Sequence, residues 1–158
     1  MLATTLAVLL TSAPQTPKAL LVIEHRLNAL NAATKQMNIE AIADWMSANA
    51  TKGFLLRTAK GKSLDSREIV QNLEDEFLII QSIPNCTAKV GNFSQKGARV
   101  SCSVVTKMTA MLKGKRKLYS EVTVVDTWRQ VNGNWKLAGA VTTHQKTTIL
   151  PIQGHKHP

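Results

Sequence analysis

Hydrophobic positions change their spacing once along this chain. Up to about residue 84 they recur mostly at three- and four-residue steps, and from Asn85 they alternate. The first spacing belongs to helices with one buried stripe, the second to strands with one buried face. Leu20, Ile23, Leu27 and Leu30 form the first stripe, so a helix is expected from Pro17 to about Thr34, with Thr16 as a hydroxyl cap and Pro17 in its first turn. Lys35–Asn38 interrupts it. Asn38 can cap a shorter helix, about Ile39 to Ser47, that buries Ile42, Trp45 and Met46. A short strand is expected at Phe54–Arg57 and a turn at Lys60-Gly61-Lys62. Asp65 with Glu68 three residues on has the form of a capping box. The helix it opens carries Ile69, Val70, Leu73, Phe77 and Ile80, and Pro84 stops it.

The alternating half divides into strands near 85–91, 98–112, 118–130 and 135–149, a four-stranded antiparallel meander. Three helices followed by such a meander predict an α+β domain with the helices on one face of the sheet. Asn132-Gly133 is a two-residue type I′ turn signal, and it sets a register. Counting outward from Val131 opposite Asn134 pairs Trp128 with Leu137, Asp126 with Gly139, Val124 with Val141 and Val122 with Thr143. Continuing across the basic turn at residues 113–117 places Leu112 opposite Leu118, Val104 opposite Asp126 and Cys102 opposite Trp128. These residues share the inner face, because side chains on a strand alternate. Arg99, Lys107, Lys113, Arg129 and Lys136 are expected on the outer one.

Length and composition permit one domain: 158 residues, 44% hydrophobic and 19% charged. Residues 16–150 are expected to form it, followed by a disordered tail at 151–158. The run MLATTLAVLLTSA is too short to span a bilayer and has the form of a signal-peptide core. The expected location is therefore secreted or periplasmic, with a cytoplasmic one as the alternative. The net charge of +10 changes the picture through its placement. Residues 1–84 are balanced, whereas residues 85–158 hold twelve Lys/Arg against Glu121 and Asp126. Such a field attracts anions, but the aromatic interleaving of nucleic-acid platforms is missing, so a nucleic-acid partner is not expected.

One position carries candidate chemistry. Asp126 is the only acid on the predicted inner face, where burial raises a carboxyl pKa. Gly139 opposite it leaves room. Val104, Val124, Asp126, Trp128, Leu137, Gly139 and Val141 therefore form the candidate ligand site, with Asp126 as candidate general base. The structural alternative is that Asp126 accepts hydrogen bonds from Arg26, a threonine or the first helix. A hairpin folding about Ser94 brings Cys86 near Cys102, which permits a cross-strand disulfide after export. A reduced pair is the other reading. The two cysteines lack metal-ligand spacing, and no metal or cofactor is expected. No phosphate loop, GxSxG or HExxH is present. His144 opposite Glu121 is expected to be a surface pair, and His155 and His157 fall in the tail.

The stretches IEAIADWMSANATKGFLLRTAKGKSLDSREIV and VDTWRQVNGNWKLAGAVTTH, in this order of elements, resemble the nuclear-transport-factor-2-like superfamily, nearest its SnoaL-like and ketosteroid-isomerase-like branch. The resemblance spans roughly residues 17–149. It implies a cone-shaped curved antiparallel sheet with three helices on its concave face, a pocket between them, and often a homodimer. It also implies a helical tyrosine and an acid near the first strand in the isomerase branch. Here the only tyrosine is Tyr119, on a strand, and Phe54–Thr58 holds no acid, so Asp126 alone carries over. Three functions are expected in order. The first is non-catalytic binding of a small apolar or amphipathic molecule, or a dimeric scaffold. The second is an isomerase, cyclase or dehydratase using Asp126. The third is an adaptor whose basic sheet face holds an anionic partner.

Overall fold

The computed structural model describes residues 16–152. The apolar N-terminal run and the GHKHP end lie outside those residues. The chain forms three helices, α1 (Lys18–Lys35), α2 (Ile39–Asn49) and α3 (Ser66–Phe77), with two short strands between α2 and α3. Pro17 is the residue that caps α1, and no side chain caps this end, so the expected Thr16 cap is not used. At the other end Asn38 N–H donates to Ala33 O and Met37 N–H to Thr34 O, with Met37 at φ 51°. This is a complete Schellman closure with methionine where glycine is usual. Asn38 then caps α2, its side chain accepting from Ala41 N–H at 3.0 Å. The capping box of α3 is present in both directions: Asp65 accepts from Glu68 N–H at 2.8 Å and Glu68 from Asp65 N–H at 2.9 Å.

Six strands form one curved, unclosed sheet: β1 (Leu56–Arg57), β2 (Ser63–Leu64), β3 (Ile80–Lys96), β4 (Arg99–Leu112), β5 (Arg116–Val131) and β6 (Asn134–Pro151), in the order β2-β1-β6-β5-β4-β3. The four-stranded meander is therefore flanked by a small hairpin, in which the strand expected at Phe54–Arg57 forms as β1 and only β2 was not foreseen. Since β1 runs parallel to β6, the sheet is mixed and not purely antiparallel. Two boundaries also move. Ile80 opens β3 and does not close α3, and Pro84 sits at a register shift of that edge strand, where a missing N–H disturbs no inner ladder. Pro151, assigned to the tail, pairs with Arg116, and Ile152 N–H donates to Lys115 O.

The Asn132-Gly133 turn forms as expected, both residues at positive φ and Val131 opposite Asn134. The register holds to Trp128 opposite Leu137. A β-bulge at Ala138 then shifts it by one, so that Asp126 faces Ala140 and Gly139 faces Thr127. A single inserted residue moves the side chains that follow it to the other face, until a second bulge at Thr143 restores the parity and puts Gln145 opposite Val122. Gly139 thus leaves the inner row, and Val141, at 44% exposed, lies outside with it. On the other side, the loop of β4 and β5 is shorter than expected, so Cys102 faces Asp126 and Val104 faces Val124. That slip is two residues, which preserves the faces.

The main core lies between α1, α2 and the sheet. Ile23, Trp45, Phe54, Val100, Trp128 and Leu137 belong to it, and the Trp45 indole N–H donates to Arg26 O at 2.8 Å. A second cluster, built on Ile80, Ile83, Ala110 and Leu112, closes the far end of the sheet beneath Met37 and Phe77. The sheet is covered at both ends, which leaves its middle as the place for a cavity.

Candidate functional site

Asp126 is buried, at 5% exposed, between Cys102 on β4 and Ala140 on β6. Burial pushes its carboxyl up to about 7, against an ordinary value of 3.8. The indole N–H of Trp128 offsets part of this, although Nε1 stays without a partner in hydrogen-bonding geometry. Burial, and then the neighbouring Asp126, push the Cys102 thiol up to about 12. Arg26 is not the partner considered for Asp126: its Nη1 is buried and unpaired, and only desolvation acts on its guanidinium.

The helix–sheet cavity lies elsewhere on the same face and holds about 420 Å³. Its floor is the inner row one step further along each strand: Thr106 and Met108 of β4, Ser120 and Val122 of β5, Thr142 and Gln145 of β6. Leu30, Asn31 and Thr34 of α1 and Ile69, Leu73 and Glu76 of α3 form the roof. Cys86 stands at one side and Leu56, Thr58 and Leu64 at the other. These are the places where the inner row changes from large apolar side chains to hydroxyls and amides, so neither core cluster fills the space.

None of the seven residues expected to bind ligand lines this cavity. Val104, Trp128 and Leu137 are core, Val124 packs against that core, and Gly139 and Val141 face outward. Asp126 is four residues along β5 from Val122, about 13 Å away. Val104 and Val124, opposite one another, stand between. The difference between the expected row and the cavity lining has a clear origin. The parity of β5 was read correctly, but no feature of its sequence says how far along the row the helices stop packing.

The polar groups in the cavity differ in their bonding. Thr34 Oγ1 donates back to Leu30 O at 2.9 Å and is used within the helix. Cys86 Sγ lies 3.7 Å from Asn31 Oδ1, while Asn31 Nδ2 is buried and unpaired. Burial pushes the Cys86 thiol up, with Lys35 pulling the other way, so it stays protonated at neutral pH. Solvent reaches Glu76 at the mouth, yet its apolar surroundings still push its carboxyl up.

Cys86 faces Met108, not Cys102. Six residues of β4 separate the two positions, roughly 20 Å, where a disulfide needs Cα atoms within about 7 Å. Both thiols are free, which corrects the expected bridge. On the outer face, Glu121 pairs with Lys107 at 3.0 Å and stands opposite Lys146; His144 stands opposite Thr123. Tyr119 is exposed there, with Lys117 Nζ 5.0 Å from its ring centre. Lys107, Tyr119, Glu121 and Lys146 border an outer depression of about 460 Å³. Lys136 is drawn away from that basic face, donating to Ala48 O at the end of α2. Among the described residues, no group of three or more His, Cys, Asp or Glu side chains is placed to hold a metal, and no helix is long and apolar enough to cross a membrane.

Three helices laid over a curved mixed sheet, with a cavity between them, is the fold of the nuclear-transport-factor-2-like proteins. The structure matches a nuclear-transport-factor-2-like protein of unknown function from Prochlorococcus marinus with a TM-score of 0.65, at 19% identity over 82% of this chain and 95% of that one. It matches a scytalone dehydratase-like protein from Novosphingobium aromaticivorans with a TM-score of 0.65, at 14% identity over 85% and 89%. A ketosteroid isomerase-like protein from Erwinia carotovora atroseptica matches with a TM-score of 0.62, at 17% identity over 80% and 96%. No protein-family model and no curated protein matches the chain.

Proposed function

We propose that this protein binds a small, partly apolar molecule in the helix–sheet cavity. The observation that carries this reading is the cavity itself: about 420 Å³ in the middle of the covered face, lined by seven apolar side chains and eight amides and hydroxyls, with Cys86 and Glu76. That size and mixture is typical of small-ligand sites. Solved proteins of the same fold include dehydratase-like and isomerase-like ones, but a shared fold carries no shared chemistry. Binding is favoured over proton transfer by Asp126 because that carboxyl is not among the residues that line the cavity. No histidine lines the cavity, and its one thiol is held protonated.

A metabolite screen by thermal shift tests this. A ligand present at a hundred times its Kd should stabilise the fold by about 2.7 kcal/mol, or roughly 5–10 °C for a domain of this length. Val122→Trp fills the cavity floor and should abolish the gain, whereas Val141→Trp on the outer face should keep it. Hits that survive Val122→Trp place the ligand elsewhere and sink the reading.

A further inference from the structure

Charge inside the cavity runs against charge on the rest of the molecule. The chain carries 20 Lys/Arg against 10 Asp/Glu, yet no Lys, Arg or His lines the cavity, and Glu76 is its only carboxylate. Glu76 has no cationic partner among the described residues, where the two ion pairs are Lys62–Glu68 and Lys107–Glu121. It lies at the mouth, on the last turn of α3. That is the negative end of the helix dipole, which favours a cation there and not another anion. Leu73 and Ile69 lie one and two turns back along the same helix, and Met108 and Val122 on the sheet below. An apolar body therefore fits between them while one end of the ligand reaches Glu76. An anionic ligand meets no compensating charge anywhere in this lining, and its own desolvation goes unrepaid.

Resting on the cavity reading above, we propose that the ligand is an amphiphilic amine. Its apolar body lies over Leu73, Met108 and Val122, and its ammonium pairs with Glu76. The desolvation that pushes the solvent-reached Glu76 carboxyl up fits this assignment, since an unpaired acid in apolar surroundings gains most from an incoming cation. The hydroxyls and amides of the floor then serve whatever neutral polar groups the body carries.

The test uses one skeleton in three charge states: 2-naphthylmethylamine, 2-naphthylmethanol and 2-naphthoate, titrated calorimetrically at pH 7.5 and low salt. Protection of Cys86 from alkylation, read by mass, reports whether the cavity is occupied, because Cys86 lines it and Cys102 is 1% exposed. The amine should bind about tenfold more tightly than the alcohol, and the naphthoate most weakly. Glu76→Gln should erase the amine's advantage and leave the alcohol's affinity unchanged. Should amine and alcohol both protect Cys86 with equal affinity, or the advantage survive Glu76→Gln, the amine assignment fails and the cavity reading stands. Should no probe of the three protect Cys86, both fall together. Glu76 is exposed on a helix, so its substitution is not expected to disturb folding.

Discussion

At the scale of single residues, Asp126 is the group whose energetics are most unusual. Folding raises its carboxyl from 3.8 to about 7. The folded state then holds the proton more tightly than the unfolded chain does, so stability is full below about pH 4 and falls as pH rises toward 7. Above that it is level. The loss over this window is on the order of 4 kcal/mol. Urea unfolding of the wild type between pH 4 and 8 should therefore show declining stability, and Asp126→Asn should flatten the curve and be the more stable protein at pH 8. A wild-type curve that rises over this range would mean that the carboxyl is paired and ionised. Gly133 makes a simpler case. A Cβ there would meet nothing within 4 Å, but φ is +76°. Gly133→Ala should cost about 1 kcal/mol, all of it backbone strain and none of it packing.

At the scale of elements, α3 is the least anchored part of the cavity. It has no fully buried residue, whereas α1 buries Ala19, Ile23 and Leu27. Its capping box accordingly carries a larger share of its stability. Asp65→Ala should lower global stability by about 1 kcal/mol. It should also weaken ligand binding in the cavity, since Ile69, Leu73 and Glu76 all lie on this helix. Unchanged affinity in that variant would show that α3 stays seated without its cap. The β6 bulge at Ala138 acts in the opposite sense. It bends the strand at the point where β1 joins it, with Ala140 N–H donating to Leu55 O at 3.0 Å. That bend lets a short parallel strand dock on the meander and form one side wall of the cavity.

At the scale of the whole molecule, the sheet keeps its two cysteines apart. Cys86 lies by the cavity and Cys102 in the main core. Exposure of the folded protein to air should leave two thiols titratable after unfolding in denaturant. A loss of both thiols without dimer formation would require a rearranged β3–β4 register. The same separation gives the two ends of the sheet different tasks. The end packed under α1 and α2 is dense and holds Trp128 at 0% exposure, and the middle is left open under α3.

The strands were legible because alternation is local, and so were the α3 capping box and the Asn132-Gly133 turn. The inner face of β4 and β5 followed from the turn alone, since the two-residue slip between them left parity intact. Three things depended on the tertiary structure. The Ala138 bulge reversed Gly139 and Val141, and alanine gives no sign of it. The short strand β2 carries too few residues for a period to show, and the parallel pairing of β1 with β6 is not local to either segment. The cavity's position depended on where the helices end over the sheet. The sequence by itself determined the class of fold and which side of the meander is buried, because each rests on spacing within one segment. Tertiary structure decided that Asp126 is buried outside the cavity lining and that Glu76 stands at the open mouth. Both outcomes depend on how far α3 reaches across a curved sheet, and that distance is not written in any one segment.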